Sequence, residues 1–140
     1  MMPHKIRPSR ESDISFIYNS WLKSYRKAHM NFLIPSDYYY SFYQKEVNRL
    51  LNDCKVVICH NPEDEEHIYG FLAYQVTDID LYIAHYCYIK QPMRELGLFE
   101  SMLKHAFPNL YKQEILATAM TKSVNYPKYK MIFNPYWRAH

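Results

Sequence analysis

The chain has 140 residues, and 17 Lys plus Arg against 14 Asp plus Glu leave a formal charge of +3, too small to demand a nucleic-acid partner. With 49% hydrophobic and 22% charged residues it can bury a core, which excludes a disordered composition, and its length fits one domain spanning 1–140. No run approaches the roughly 18 apolar residues of a membrane span, and residues 1–10 lack the apolar centre of a secretion signal, so a soluble, cytoplasmic protein without a membrane partner is expected.

Residues 4–8 read as a short first strand. Ser9 or Ser12 then caps a helix whose apolar stripe, Ile14, Ile17, Tyr18, Trp21 and Tyr25, follows helical spacing, with Lys23, Ser24, Arg26 and Lys27 on the polar face. Pro35 stops the chain, and Ser36-Asp37 caps a second helix carrying Tyr39, Phe42, Tyr43, Val47, Leu50 and Leu51 on one side. Tyr38, Tyr39, Tyr40, Phe42 and Tyr43 cover more than half of that helix's circumference. Some must therefore face outward, towards a second subunit in a homodimer, towards an acceptor molecule, or as the rim of the core.

The period then changes. Residues 55–60 (KVVICH) and 68–76 (IYGFLAYQV) flank an acidic turn, 61–66, as an antiparallel hairpin. Residues 81–89 (LYIAHYCYI) are apolar on both faces, as a central strand is. A helix starting between 94 and 98 runs to Ala106 with Leu96, Phe99, Leu103 and Phe107 inside, and Pro108 ends it. Residues 115–120 form a further strand. Pro127 and Pro135 limit the tail to a short helix, with 131–133 and Tyr136-Trp137 closing as an edge strand.

Chemistry concentrates between Tyr88 and Phe99. A buried strand that turns through a glycine into a helix is a phosphate-binding arrangement, because first-turn amides lack helical partners and the dipole favours an anion. Gly97 is one of only 2 glycines, and Lys90 and Arg94 add positive charge beside it. The plainer alternative is a glycine that starts a helix packed tightly on the sheet.

The element order together with Arg94-Glu95-Leu96-Gly97-Leu98-Phe99 resembles the GNAT superfamily of acetyl-CoA-dependent acyltransferases, whose pyrophosphate loop reads (Q/R)-x-x-G-x-(G/A). Arg94 and Gly97 match; Phe99 stands where that family prefers a small residue. The 20–26 helix segment and Tyr88-Ile89-Lys90 also resemble small GNAT-like proteins of bacteriophages, which would place the chain in host cytoplasm or virion. The resemblance implies an α/β fold with a mixed, mostly antiparallel sheet flanked by helices, and an opening between the 81–89 and 115–120 strands for the pantetheine arm. It implies that backbone groups near Tyr88 and Ile89 hold the arm. Amides of Glu95, Leu96, Gly97, Leu98 and Phe99 hold the pyrophosphate, with Arg94 beside them. It further implies direct transfer of an acetyl group from acetyl-CoA to a primary amine, borne by a small molecule or a protein. His85 is the candidate base and Tyr126 or Tyr129 the candidate acid; for His85 a hydrogen-bonded core histidine is the alternative.

Two other readings compete. One is a GNAT-shaped interaction or virion-associated protein without catalysis. The other is a single-strand nucleic-acid binder using the Lys- and Tyr-rich stretch that includes Tyr111, Lys112, Lys122, Lys128, Lys130, Tyr136 and Arg138. Cys59-His60 and His85-x-Cys87 lack a second ligand pair, so no metal site is expected. Cys54, Cys59 and Cys87, odd in number and without paired spacing, should be free thiols.

Overall fold

The computed structural model describes residues 2–28, 35–78, 81–108, 114–118 and 131–133. Strand β1 (Lys5–Pro8) leads through one 3₁₀ turn (Glu11–Asp13) into helices α1 (Ile14–Ala28) and α2 (Ser36–Asp53). Strands β2 (Lys55–Asn61), β3 (Asp64–Val76) and β4 (Tyr82–Ile89) follow, then helix α3 (Leu98–Ala106) and strands β5 (Ile115–Ala117) and β6 (Met131–Phe133). The six strands lie side by side in chain order. Pairing is antiparallel from β1 to β4 and parallel from β4 to β6, so α3 is the crossover that parallel β4 and β5 require.

Each face of the sheet is covered. On one side α3 packs Leu98, Met102, Leu103 and Ala106, with Phe107, onto Val57, Leu72, Tyr74, Tyr82 and Ala84. Phe107 stacks on Tyr82 at 4.7 Å and meets Tyr74 edge-on. On the other side α1 and α2 bring Ile17, Trp21, Leu22, Tyr39 and Val47 onto Ile58, Phe71, Ala73 and Tyr86. There Trp21 stacks on Tyr86 at 5.2 Å, nearly coplanar. Since α3 covers one face and α1 with α2 the other, β4 is apolar on both sides.

Several expectations need correcting. Neither Ser9 nor Ser12 caps α1: the Arg10 amide donates to the Asp13 carboxylate at 2.7 Å and a 3₁₀ turn precedes Ile14. Among the described side chains of α1, Ile17, Trp21 and Leu22 are buried and the expected Tyr18 packs partly against the same cluster, while Ile14 is 49% exposed and the Tyr25 side chain lies outside the description. Ser24 belongs to the sheet side, its hydroxyl meeting the Tyr86 hydroxyl at 2.6 Å, because position 24 lies one turn beyond Trp21. Pro35 is the N-cap of α2, with Ser36 already helical, and Phe42 points outward with Tyr38. Strand β3 starts at Asp64, so the acidic segment is mostly strand, and α3 starts only at Leu98, leaving Leu96 exposed. Strand β5 is described only as far as Ala117, followed by a bend at Thr118. The tail from 119 to 130, Tyr136 and Trp137 lie outside the described residues, while 131–133 is a strand paired with β5.

Candidate active site

The pairing of β3 with β4 slips by one residue: Ala73 faces Tyr86 while Tyr74 faces Ala84, so His85 is an extra residue on β4. Such a bulge bends the strand and redirects its neighbours. β4 pairs with β5 only over Tyr82, Ile83 and Ala84, and the Thr118 amide closes the ladder on the Ala84 carbonyl at 3.2 Å. Among the described residues, β4 beyond the bulge has no β5 partner.

Antiparallel pairs alternate between hydrogen-bonded and open, so one observed bond sets the phase for the rest. The Lys90 amide donates to the Tyr69 carbonyl at 2.9 Å. Tyr88 and Tyr86 therefore turn their backbone groups to β3, and Cys87 and Ile89 turn theirs to the β5 side. Of the two residues expected to hold a pantetheine arm, Ile89 turns its backbone groups away from β3 and Tyr88 turns its own towards it. The Tyr88 ring packs against Phe16 and Phe71 beneath α1.

After Ile89 comes a 3₁₀ turn, Gln91–Met93, and an exposed loop, 94–97. Glu95 at φ 64° and Gly97 at φ 84° both lie in the left-handed region, and Gly97 is the N-cap of α3. The first helical bond runs from the Ser101 amide to the Gly97 carbonyl at 3.1 Å, so the amides ahead of it point out of the helix end into the loop. Arg94 folds back, its Nε donating to the Ile89 carbonyl at 2.8 Å, which holds its guanidinium at the end of β4. Lys90 lies over the Phe16 ring at 5.1 Å. Phe99 is half-buried against the cluster beneath α3, and Leu98 is buried. Glu95 brings one carboxylate to the same loop.

His85, 2% exposed, follows Ala84, the last β4 residue paired with β5 among the described residues. Its Nδ1 meets the Thr118 hydroxyl at 2.8 Å and its Nε2 meets the Gln75 side-chain oxygen at 2.5 Å. The histidine is thus a hydrogen-bonded core residue, and its partner Thr118, next to Ala117 of β5, is only half-buried. Sequence reasoning missed Thr118 and Gln75, because partners 33 and 10 positions away are found only through strand register. Tyr126 and Tyr129 lie outside the described residues, as do Tyr111, Lys112, Lys122, Lys128, Lys130, Tyr136 and Arg138 of the Lys- and Tyr-rich stretch.

The remaining signals resolve as structure. Among the described residues no group of three or more His, Cys, Asp or Glu is placed to hold a metal ion. The three cysteines are free; burial pushes the Cys59 thiol up to about 11 and the Cys54 thiol up to about 12, and raises Cys87 further, so none is poised as a nucleophile. In the acidic segment the Glu65 carboxylate pairs with Arg10 and its carbonyl accepts from Arg7 at 3.0 Å.

No protein-family model matches the sequence, and no curated protein matches it. Solved structures do. A predicted acetyltransferase from Clostridium acetobutylicum, determined with acetyl-CoA, matches at TM-score 0.56 and 17% identity over 99% of this chain and 96% of that one. YjaB from Escherichia coli, in its apo form, matches at 0.54 and 18% identity over 76% and 66% of the two chains. An acetyltransferase of the GNAT family from Staphylococcus aureus Mu50 gives 0.51 and 16% over 74% and 64%. The aligned part thus spans just under two thirds of the latter two proteins. The mixed six-stranded sheet with its helices has the GNAT fold, with the β4 bulge and the Gly97 loop lying in sequence along one strand and its exit.

Proposed function

We propose that the chain is an acetyl-CoA-dependent N-acetyltransferase that acetylates a primary amine by direct transfer within a ternary complex. The observation that carries this reading is the run from the β4 bulge at His85, along the Cys87 and Ile89 backbone groups that face away from β3, to the Arg94–Ile89 bond and the left-handed Gly97 at the start of α3. The Cys87 backbone groups and the Ile89 amide, whose own carbonyl already accepts from Arg94, suit an extended amide-bearing arm as an added strand takes its ladder. The loop amides from Glu95 to Phe99 and the Arg94 guanidinium suit a diphosphate, and fixed donors of this kind cost no reorganisation as charge develops. Bound there, acetyl-CoA supplies the activated acyl group. The protein's own task is to align the amine, accept its proton near His85 and return one to the departing sulfur, the role proposed for Tyr126 or Tyr129.

Calorimetry tests the reading. CoA and acetyl-CoA should bind the wild-type chain, and Gly97→Glu, which sets a carboxylate at the helix start on top of backbone strain, should abolish the heat. A folded wild-type chain that takes up neither ligand at millimolar concentration removes the reading. It would leave a GNAT-shaped interaction protein, which the outward Tyr38 and Phe42, 75% and 62% exposed, favour.

A further inference from the structure

Gln75, His85 and Thr118 come from three adjacent strands and form one hydrogen-bonded chain. We propose that this chain is a proton relay in which the Thr118 hydroxyl is the group that meets the acceptor amine. The inference rests on the acetyltransferase reading and adds to it the residue that touches substrate. His85 is buried, so an amine cannot reach the imidazole directly, whereas Thr118 is half-buried, its amide bonded to the Ala84 carbonyl at the last β4–β5 rung among the described residues.

Face and polarity agree. Along β3 the side chains alternate, with Tyr74 under α3 and Ala73 under α1 and α2, which puts Gln75 on the α1 and α2 face. Along β5, Ala117 pairs with Ala84 of the α3-side cluster, which puts Thr118 on the α1 and α2 face as well. The diphosphate loop belongs to the α3 side, so donor and acceptor approach the sheet from opposite faces. An amide oxygen only accepts. The Gln75 oxygen therefore places a proton on His85 Nε2, leaving Nδ1 as an acceptor that the Thr118 hydroxyl must satisfy. A hydroxyl that has donated its own proton to imidazole presents its lone pairs to an incoming N–H. The same logic, a hydroxyl held by a histidine that a third group orients, activates hydroxyls elsewhere.

In the step proposed, an ammonium proton passes to Thr118 Oγ1 as the proton of Oγ1 passes to His85 Nδ1. No heavy-atom bond to Thr118 forms or breaks. The neutral amine then attacks the thioester, its second proton leaves with the sulfur as thiol, and the imidazolium returns its proton through Thr118 to water. Thr118 is the catalytic residue; His85 and Gln75 position it and hold the proton.

The test has two readouts. Nitrogen NMR of the labelled full-length chain should show His85 with its proton on Nε2, and an Nδ1 resonance that moves in Thr118→Val; a proton on Nδ1, donated to Thr118, overturns the relay. This holds even if the valine variant fails to fold, since the tautomer is read in the wild type. Thiol release from acetyl-CoA is then followed with spermidine, free lysine and a short peptide with a free amino terminus as probe amines. Thr118→Val should lower kcat about 100-fold, the scale of one proton-transfer group, with unchanged affinity for CoA by calorimetry, and Thr118→Ser should restore turnover. Undiminished turnover in Thr118→Val overturns the relay alone, as does a wild type that binds CoA but releases no thiol with any probe. Failure of the wild type to bind CoA overturns the acetyltransferase reading and the relay with it.

Discussion

A methyl group added at Gly70 has nowhere to go. Its Cβ would overlap the Tyr88 carbonyl and lie 3.0 Å from the Ile89 Cα, so backbone must shift on the strand that carries the site. Gly70→Ala should destabilise the chain by about 1–3 kcal/mol, the usual range for overpacking, read as a lower urea midpoint at unchanged slope. Glu95 poses the opposite case. A β-carbon at φ 64° costs about 1 kcal/mol, part of which glycine forfeits again through its freer unfolded chain. Glu95→Gly should therefore stabilise by a few tenths to about 1 kcal/mol in the same titration. Removing its carboxylate from the proposed anion loop should also tighten CoA binding, and a variant that gains neither would show that the loop geometry is not strained and that its charge is remote from the ligand.

Elements were readable in proportion to how much of their pattern was local. The hairpin of β2 and β3 and the doubly apolar β4 are legible in 55–89, because alternation and turn residues are written in the chain itself. The strand–glycine–helix passage at Gly97 was legible for the same reason. The bulge at His85 was not: nothing within 81–89 distinguishes an inserted residue from a regular one, and it emerges only from the slip against Ala73 and Tyr74. Helix α2 exposes the limit from another side, since a run of aromatic residues does not declare which of them the sheet will cover. Tyr39 is fully buried and its hydroxyl donates to the Leu22 carbonyl at the α1–α2 contact, whereas Phe42, one turn on, is 62% exposed. Tyr39→Ala should cost about 3–5 kcal/mol and Phe42→Ala under about 1. Comparable losses at both positions by chemical denaturation would mean that α2 buries its outer face against something else in solution.

At the scale of the whole molecule, a buried ion pair joins β1 to the turn ahead of α1, and the same arginine ties both to the start of β3. Two Arg7 nitrogens donate to the two oxygens of Asp13 at 2.7 and 3.1 Å, and Arg7 reaches the Glu65 carbonyl as well. Burial by itself pushes the Asp13 carboxyl up, but the Arg7 hydrogen bonds, the Arg10 amide and the two arginine charges outweigh it and hold the group below its ordinary value. A carboxyl whose folded pKa is depressed stabilises the fold fully above its unfolded pKa, about 3.9, and loses that contribution as pH falls through the lower folded value. Asp13→Asn should thus cost about 3–5 kcal/mol at pH 7, because it leaves the Arg7 guanidinium buried without its counter-charge. The gap should begin to narrow below about pH 4, where the unfolded chain takes up the proton first, and should close as pH falls through the lower folded value, where the protonated carboxyl comes to resemble the amide. The Arg10–Glu65 pair lowers the Glu65 carboxyl through its hydrogen bond to Arg10, but it is exposed and salt screens it. Repeating the pH series in high salt therefore isolates Asp13. A difference between wild type and Asp13→Asn that stays constant from neutral to acid pH would mean that shape at position 13, and not its charge, fastens β1 and the entry to α1 onto the hairpin.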